Sequence, residues 1–183
     1  GLTLGELCEA TITTSDNTAG NLVLEATGGP AGFTRFVREQ GDALTRLDRI
    51  EPALNESRPG DERDTTTPDA MAGLLQRLLL GKGLLPASRK QLTQWMLANQ
   101  TSGARLRAGL PKGWRLADKT GAGERGANNN DVGVFWRPNG EPIVVCAYLS
   151  ECKAPTARSN AAIAAIAKFV VNGTAGNSSP QHR

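Results

Sequence analysis

The stretch R-I-E-P-A-L-N-E-S-R-P-G-D-E-R-D, residues 49–64, decides how the rest of this sequence is interpreted. It is too polar, and too often interrupted by proline and glycine, to form a single helix or strand. Irregular segments of this length are uncommon inside compact domains, and those that occur are often functional. The sequence therefore predicts an Ω-like loop with Arg49 and Asp64 paired at its neck.

Glu51 and Asn55 lie four residues apart within this loop. A carboxylate and a carboxamide at that spacing can hold one water between them, and a general base needs such an arrangement to activate a nucleophilic water. A solvated surface loop would carry similar charges. The loop by itself leaves both interpretations open.

Length and composition describe an ordinary globular chain. Its 183 residues fit one domain, or two small lobes that share a core, with 39% hydrophobic and 21% charged residues. No apolar run reaches the roughly 20 residues that span a membrane, and no signal peptide is expected at the start. The net charge of +3 is small, the basic residues alternate with acids and aromatics are only 4%, so a nucleic-acid surface is not expected.

The sequence also predicts no metal site and no cofactor. Its cysteines are Cys8, Cys146 and Cys152, none of them in C-x-x-C spacing, and the sole histidine is His182 near the end. A zinc site needs about four such ligands at suitable spacing.

The hydrophobic pattern predicts an α+β organisation. Helices are expected at 4–10, 32–39, 69–80 and 86–98, and a further helix is expected to follow Asp16 or Asn17, either of which can cap it. Thr67 is the expected cap of the helix at 69–80, and Pro68 is expected at its first position. Strands are expected at 115–120, 132–136 and 143–149, and a closing helix at 157–171. This divides the chain into a helical subdomain (1–104), an antiparallel sheet with a covering helix (105–172) and a disordered tail (173–183).

Two tripeptides add to the polar loop. Ser15-Asp16-Asn17 alone is typical of a helix cap, and Lys119-Thr120-Gly121 alone is typical of a strand end. Their order around the Glu-Pro-x-Leu-Asn loop is more informative, because all three segments fall at turns or strand edges. Their side chains can therefore converge on one cleft.

With these motifs in this order, the sequence closely resembles the class A serine β-lactamases, from about Leu2 to Val171. The matching segments are S-D-N-T-A-G-N-L, G-G-P, R-L-D-R-I-E-P-A-L-N-E, G-D-E-R-D-T-T-T-P and D-K-T-G-A-G. The resemblance implies a β-lactamase/transpeptidase-like fold. It also implies hydrolysis of β-lactam antibiotics through a serine acyl-enzyme, which confers antibiotic resistance.

The resemblance implies four catalytic residues. Glu51, together with Asn55, corresponds to the group that holds and deprotonates the water that hydrolyses the acyl-enzyme. Ser15 corresponds to the hydroxyl that relays a proton to the β-lactam nitrogen as the ring opens. Lys119 lies beside that hydroxyl in the family and keeps a positive field on it.

The resemblance also implies the residues that hold the substrate. Asn17 would hydrogen-bond the acylamide side chain, and Thr120, followed by Gly121, would bind the substrate carboxylate. The backbone N–H of Ala122 would be one of two oxyanion-hole donors. Family members place an arginine near the carboxylate, and Arg105 matches one of the two positions that can supply it.

Four residues would shape the site without reacting. Asp16 belongs to the Ser-Asp-Asn turn, and Arg49 and Asp64 match the pair that closes the loop. The family pattern further implies that the peptide bond between Glu51 and Pro52 is cis.

The family's nucleophile is a serine in S-x-x-K, placed well before the Ser-Asp-Asn turn, whereas fourteen residues precede Ser15 here. Ser150 and Lys153 do form an S-x-x-K, but it follows the last predicted strand and is interpreted as a chance match. The chain thus resembles the C-terminal two-thirds of the family, and in some members Cys8 would bond a cysteine in the other third. We expect an inactive and poorly stable chain with an incomplete sheet, an N-terminal S-x-x-K segment as partner, and a periplasmic or secreted location.

Two other functions remain open at this point. Penicillin-binding transpeptidases and carboxypeptidases share the Ser-x-Asn and Lys-Thr-Gly motifs but lack the loop that carries Glu51 and Asn55. A β-lactamase-like remnant that binds peptidoglycan fragments or a partner protein would explain the absent nucleophile. Such a remnant would have no use for a deacylation base, so the presence of Glu51 argues against it.

Overall fold

The computed structural model describes residues 1–138 and 140–175. In this part of the chain it contains six α-helices and one antiparallel three-stranded sheet, so the predicted α+β class is confirmed. The helices are α1 Leu4–Thr13, α2 Asn17–Ala26, α3 Gly29–Glu39, α4 Pro68–Leu75, α5 Pro86–Leu97 and α6 Thr156–Ala175. The strands are β1 Arg115–Ala122, β2 Asn129–Trp136 and β3 Pro142–Leu149.

Helix α1 is longer than the predicted 4–10. It begins with a capping box, in which Thr3 and Glu6 satisfy each other's backbone N–H groups. Near its end the hydroxyls of Thr11 and Thr13 each donate to the carbonyl four residues earlier, at 2.8 Å. These hydrogen bonds satisfy the threonine hydroxyls inside the helix, although threonine by itself favours non-helical structure.

The predicted helix caps are confirmed. The Asp16 carboxylate accepts from the backbone N–H of Ala19 at 2.8 Å, and Thr67 caps α4 with Pro68 in its first turn. Helix α3 begins earlier than the predicted 32, at Gly29. Gly28 has a φ of 93°, which lets the chain turn directly from α2 into α3.

The predicted helix at 69–80 has two geometries. It is an α-helix until Leu75 and continues as a π-helix over Gln76–Leu80. Leu75 and Leu79 are both buried, so the apolar stripe is correct along its whole length. Spacing of apolar residues does not distinguish the last turn of an α-helix from a π-helix.

The sheet is a meander of order β1-β2-β3, with Thr120 opposite Asp131 and Val132 opposite Cys146. Two strands extend beyond the predicted ranges at one end, since β1 reaches Ala122 and β2 starts at Asn129. That end is rich in glycine and asparagine and lacks an alternating apolar pattern. Backbone hydrogen bonds between the strands stabilise this end of the sheet, and the hydrophobic pattern does not report such bonds.

Helices cover both faces of the sheet. On one face, α6 and the short 3-10 turn Leu106–Gly109 pack against Leu116, Phe135 and Val145. On the other, Leu75, Leu79 and Met96 from the helices before the sheet pack against Ala117 and Val134. The predicted division of the chain between residues 104 and 105 stays a prediction.

Helix α6 runs to Ala175, beyond the predicted 157–171, so residues 173–175 of the predicted disordered tail are helical. Residues 176–183 of that tail, and Asn139 of the predicted turn at 138–140, lie outside the described residues. None of the helices described here has the length and apolar character needed to cross a membrane.

Two fully buried carboxyl groups lie side by side on the sheet face that α6 covers. Asp118 accepts from Arg107 and from Asn99 Nδ2, each at 2.8 Å. One oxygen of Asp131 accepts from the backbone N–H of Leu106 at 3.1 Å, and its carboxyl group also hydrogen-bonds to Asp118. Burial, and then the charge of Asp118, raise the pKa of Asp131 to about 8. Asp131 is therefore a neutral acid at neutral pH. Burial also raises the pKa of Asp118, and hydrogen bonding and the ion pair with Arg107 oppose that rise, so Asp118 is the member of the pair that carries the charge.

Gly133 makes room for Asp118. The two residues are opposite each other in the sheet, and a Cβ on Gly133 would lie 2.9 Å from the Asp118 Cα and against the carbonyl oxygen of Ala117. We expect Gly133→Ala to lower the free energy of unfolding by about 1–3 kcal/mol, measured by urea denaturation. Gly73→Ala is the matched control, because no atom lies within 4 Å of its Cβ position in α4. That change should be neutral or stabilising by up to about 1 kcal/mol, and equal losses in both variants would contradict the steric explanation.

The raised pKa of Asp131 makes stability depend on pH. Its carboxyl titrates near 8 in the folded chain and near the ordinary 3.8 when unfolded, so folding binds a proton between these values. The stability of the neutral form is fully present below 3.8 and is lost as the pH rises through 8. We expect the free energy of unfolding to fall by up to about 1.4 kcal/mol per pH unit in this window.

Asp131→Asn removes this titration, so urea denaturation at several pH values should give a flatter profile than that of the unmodified chain. Asp61→Asn is the control, since Arg63 lowers the pKa of the partly exposed Asp61 and its titration lies below this window. If the free energy of unfolding changed with pH equally in the unmodified chain and in Asp131→Asn, Asp131 would be ionised at neutral pH.

Candidate active site

A cavity of about 1030 Å³ opens between the Ser-Asp-Asn turn, the polar loop and the end of β1. These are the three segments that the sequence predicted to converge. Eleven of the thirteen predicted site residues line it: Ser15, Asp16, Asn17, Glu51, Pro52, Asn55, Arg105, Lys119, Thr120, Gly121 and Ala122. The other two, Arg49 and Asp64, lie at the neck of the loop.

Ser15 and Lys119 meet across the cavity. Lys119 Nζ donates to Ser15 Oγ at 2.6 Å and to the carbonyl of Thr120 at 2.8 Å. Ser15 has a φ of 61°, an uncommon conformation for a residue with a side chain, and the Asp16 cap follows it immediately. The turn thus places a hydroxyl against an ammonium group.

Burial lowers the pKa of Lys119, since it disfavours the charged form. The charge of Asp118 opposes this effect and raises the pKa of Lys119, as does the smaller contribution of Glu51. An ammonium with a lowered pKa, hydrogen-bonded to a hydroxyl, is suited to assist proton movement through that hydroxyl.

Glu51 and Asn55 lie on the loop side of the cavity. Asn55 Nδ2 donates directly to a Glu51 carboxylate oxygen, and also to the carbonyl of Pro52 at 3.1 Å. Asn21, on α2, clamps the backbone of Glu51 through two bonds of 2.9 Å, one donated by its amide and one accepted. Carboxylate and carboxamide are thus in direct contact, and the shared water that their spacing predicts stays a prediction.

Ion pairs between side chains close the neck of the loop. Arg49 Nε donates to Asp64 at 2.5 Å, and a second guanidinium nitrogen donates to Glu56 at 2.8 Å. Asp64 also accepts the backbone N–H groups of Asp48 and Arg49 at 2.7 and 2.9 Å. The Glu51–Pro52 peptide bond is cis.

Arg105 is only 9% exposed and lies beneath the end of β1. It donates to the carbonyls of Gly121 and Asn130 at 2.7 and 2.6 Å and to Asn160 at 3.0 Å. Burial lowers its pKa, but an arginine remains charged. A fixed guanidinium therefore lies under the cavity wall that carries Thr120.

Sequence reasoning missed three residues of this region: Asn21, Asn99 and Thr101. Thr101 lines the cavity and touches Thr120, while Asn99 joins Thr101 to Asp118. Asn21 lies inside the S-D-N-T-A-G-N-L segment, and that match could have identified it as a residue of the site. Asn99 and Thr101 follow a helix in a polar stretch that looks like an ordinary turn.

The described residues that line the cavity do not include Ser150 or Lys153. Cys8, Cys146 and Cys152 are free thiols in the described chain, and burial raises the pKa of Cys146 to about 12. Within the same residues no group of three His, Cys, Asp or Glu side chains could hold a metal ion. The side chains that line the cavity carry hydroxyl, carboxylate, carboxamide, ammonium and guanidinium groups.

Comparison with known proteins agrees with this arrangement. A family model described as "Beta-lactamase enzyme family" matches residues 1–174. The β-lactamase AER-1 of Aeromonas hydrophila is 52% identical over 165 residues, which cover 90% of this chain and 54% of that protein. The β-lactamase FAR-1 of Nocardia farcinica is 53% identical over 171 residues, or 93% of this chain and 54% of that protein. The chain therefore spans about half the length of these relatives.

Solved structures are similar as well. An ancestral class A β-lactamase superposes with a TM-score of 0.92 at 57% identity, covering 94% of this chain and 66% of that one. The last common ancestor of the class A β-lactamases of Gram-negative bacteria gives the same TM-score and identity over 95% of this chain. The chain belongs to the β-lactamase enzyme family, corresponds to a C-terminal part of it, and is similar in structure to class A members.

Proposed function

We propose that this chain supplies the proton relay, the deacylation base and the substrate pocket of a β-lactam hydrolase that acts through a serine acyl-enzyme. One observation carries the proposal: the Ser15–Lys119 pair and the Glu51–Asn55 pair face the same cavity from two sides. A reaction that both forms and hydrolyses an acyl-enzyme needs these two functions at one carbonyl carbon.

In the proposed acylation, a serine hydroxyl outside this chain attacks the β-lactam carbonyl and the C–N bond breaks. Ser15 Oγ donates its proton to the departing nitrogen and takes up the proton that the attacking serine loses, passed on by the lysine of the same S-x-x-K segment, so Ser15 ends as a neutral hydroxyl. The Lys119 ammonium stabilises the Ser15 oxygen during this transfer. The backbone N–H of Ala122, at the cavity end of β1, donates to the carbonyl oxygen as it becomes negative.

In the proposed deacylation, Glu51 removes a proton from a water that Asn55 helps to hold. The water oxygen attacks the ester carbonyl, and the bond to the serine oxygen breaks with return of a proton to that oxygen. The clamp by Asn21 and the ionic neck between Arg49 and Asp64 support this geometry, since they fix the backbone that presents Glu51.

A carboxylate-bearing substrate suits the opposite wall. The Thr120 hydroxyl lines the cavity and the Arg105 guanidinium lies behind it, so an anion there would meet a donor and a buried positive charge. Asn17 lines the cavity beside Ser15 and would hydrogen-bond the acylamide group of the substrate.

The nucleophile would come from an N-terminal segment with S-x-x-K. Exposed apolar side chains on α1–α3 support a partner surface there: Leu4 is 50% exposed, Leu22 44% and Phe36 37%. The chain's match to about half of each relative is consistent with this arrangement. A periplasmic or secreted location belongs to the same proposal, because β-lactams act on cell-wall synthesis outside the cytoplasm.

The first test is reconstitution. We expect no hydrolysis of a chromogenic cephalosporin by the chain alone, and turnover after addition of an N-terminal segment of a class A relative that carries S-x-x-K. The same segment with its motif serine changed to alanine is the control and should restore nothing. Binding without hydrolysis in the complete mixture would instead favour the non-catalytic remnant. Turnover by the chain alone that Ser150→Ala abolishes would identify Ser150 as the nucleophile.

The second test separates acylation from deacylation. In the reconstituted enzyme, Glu51→Gln should let the acyl-enzyme accumulate, seen by mass spectrometry, and slow its hydrolysis about 10²- to 10⁴-fold, because the water loses its base. Glu62→Gln is the control, an exposed carboxylate of the same loop that does not line the cavity. Fast hydrolysis of the acyl-enzyme in Glu51→Gln would show that another residue is the base. Slow hydrolysis of the acyl-enzyme in the unmodified protein would favour a penicillin-binding transpeptidase.

A further inference from the structure

A chain of hydrogen bonds leads from the cavity surface to the buried Asp118. The hydroxyls of Thr120 and Thr101 are 2.5 Å apart, and Thr101 Oγ1 donates to Asn99 Oδ1 at 2.7 Å. Asn99 Nδ2 then donates to Asp118 at 2.8 Å. A group at the wall of the cavity is therefore connected to a fully buried charge.

Asp118 sets the direction of these bonds. Its carboxylate is paired with Arg107 at 2.8 Å, so it acts only as an acceptor. The Asn99 amide must therefore point its NH₂ group at Asp118 and its oxygen at Thr101. That oxygen accepts two bonds from Thr101, from the backbone N–H at 3.0 Å and from the hydroxyl at 2.7 Å.

This direction determines what Thr120 presents to the cavity. Because the Thr101 proton points to Asn99, the short contact between the two hydroxyls uses the Thr120 proton. In the empty site the Thr120 oxygen thus shows lone pairs to the cavity. A carboxylate arriving there would meet an acceptor, which is the wrong polarity for a hydrogen bond.

We propose that Thr101 is a positioning residue that reverses this polarity when a carboxylate binds. The Thr120 hydroxyl rotates its proton towards the carboxylate, and the Thr101 hydroxyl rotates its own proton to Thr120 Oγ1. No covalent bond breaks, and both protons stay on their oxygens. The inference rests on the proposed function, because it assigns Thr120 to a substrate carboxylate.

The cost of the reversal is small for a structural reason. When the Thr101 hydroxyl turns away, Asn99 Oδ1 keeps the bond from the backbone N–H of Thr101. The new bond from Thr101 strengthens the one that Thr120 donates, since hydrogen bonds in a chain polarise one another. The buried guanidinium of Arg105 favours the anion in the same position.

The test is a titration with benzylpenicillin of the 183-residue chain mixed with the S-x-x-K segment whose motif serine is changed to alanine, followed through ¹³C-labelled threonine methyl groups of the chain. Thr101→Val keeps the shape and removes the donor, and we expect a dissociation constant about three- to tenfold higher. Thr101→Ser should retain nearly normal binding. Thr93→Val is the control, because its hydroxyl bonds to the Arg89 carbonyl within α5.

A penicillin methyl ester distinguishes positioning from general damage. It offers no anion, so the unmodified chain and Thr101→Val should bind it equally. An unchanged dissociation constant for benzylpenicillin in Thr101→Val, or an equal loss for the ester, would overturn the role of Thr101. If the unmodified mixture binds neither compound, the proposed substrate pocket fails, and the inference fails with it.

Discussion

The contact between Lys119 Nζ and Ser15 Oγ is the interaction on which the site depends. It joins a β-strand to a helix–helix turn 104 residues earlier in the chain. The two elements have to be brought together by packing. This occurs because α5 packs between α1 and the sheet, and the backbone N–H of Gln100, three residues after α5, donates to the Thr13 carbonyl at the end of α1. An ammonium group that is largely removed from water needs such a partner, because burial otherwise favours its neutral form.

The charges behind the cavity form the second constraint. Asp118 is held by Arg107 and Asn99, whereas Asp131 accepts from a backbone N–H and hydrogen-bonds to Asp118 itself. Two adjacent buried carboxylates would repel each other strongly, so one of them carries a proton. The arrangement leaves a single negative charge to balance the buried cations Arg105 and Lys119, and Gly133 provides the space for it.

The polar loop presents the Glu51 carboxylate, and ion pairs and hydrogen bonds to the backbone hold the loop in place. Its neck relies on Arg49 and Asp64, whereas Asn21 from a neighbouring helix holds Glu51 itself. Fixing an irregular segment at several points reduces the conformational entropy that an ordered site would otherwise lose at each turnover. The same bonds keep a carboxylate at the cavity surface, where a water can reach it.

Local pattern and motif order were sufficient for the fold class, the helix caps at Asp16 and Thr67, and the cavity-lining positions from Ser15 to Ala122. Each depends on residues close in sequence or on a resemblance carried by short segments. The strand ends at Ala122 and Asn129, the π-helical turn after Leu75 and the start of α3 at Gly29 were not predictable in this way. They are decided by backbone pairing and by turns that leave no periodic apolar signal.

The sequence alone thus determined which chemical groups the site contains, because side-chain chemistry and the local turns that expose it are encoded within a few residues. Only the tertiary structure decided how these groups are connected: Asn21 to Glu51, Thr101 to Thr120, and Asn99 to a buried Asp118. The partners in these contacts are 19 or 30 residues apart. Their hydrogen bonds have direction only once packing has excluded water and left each buried donor and acceptor a single available partner.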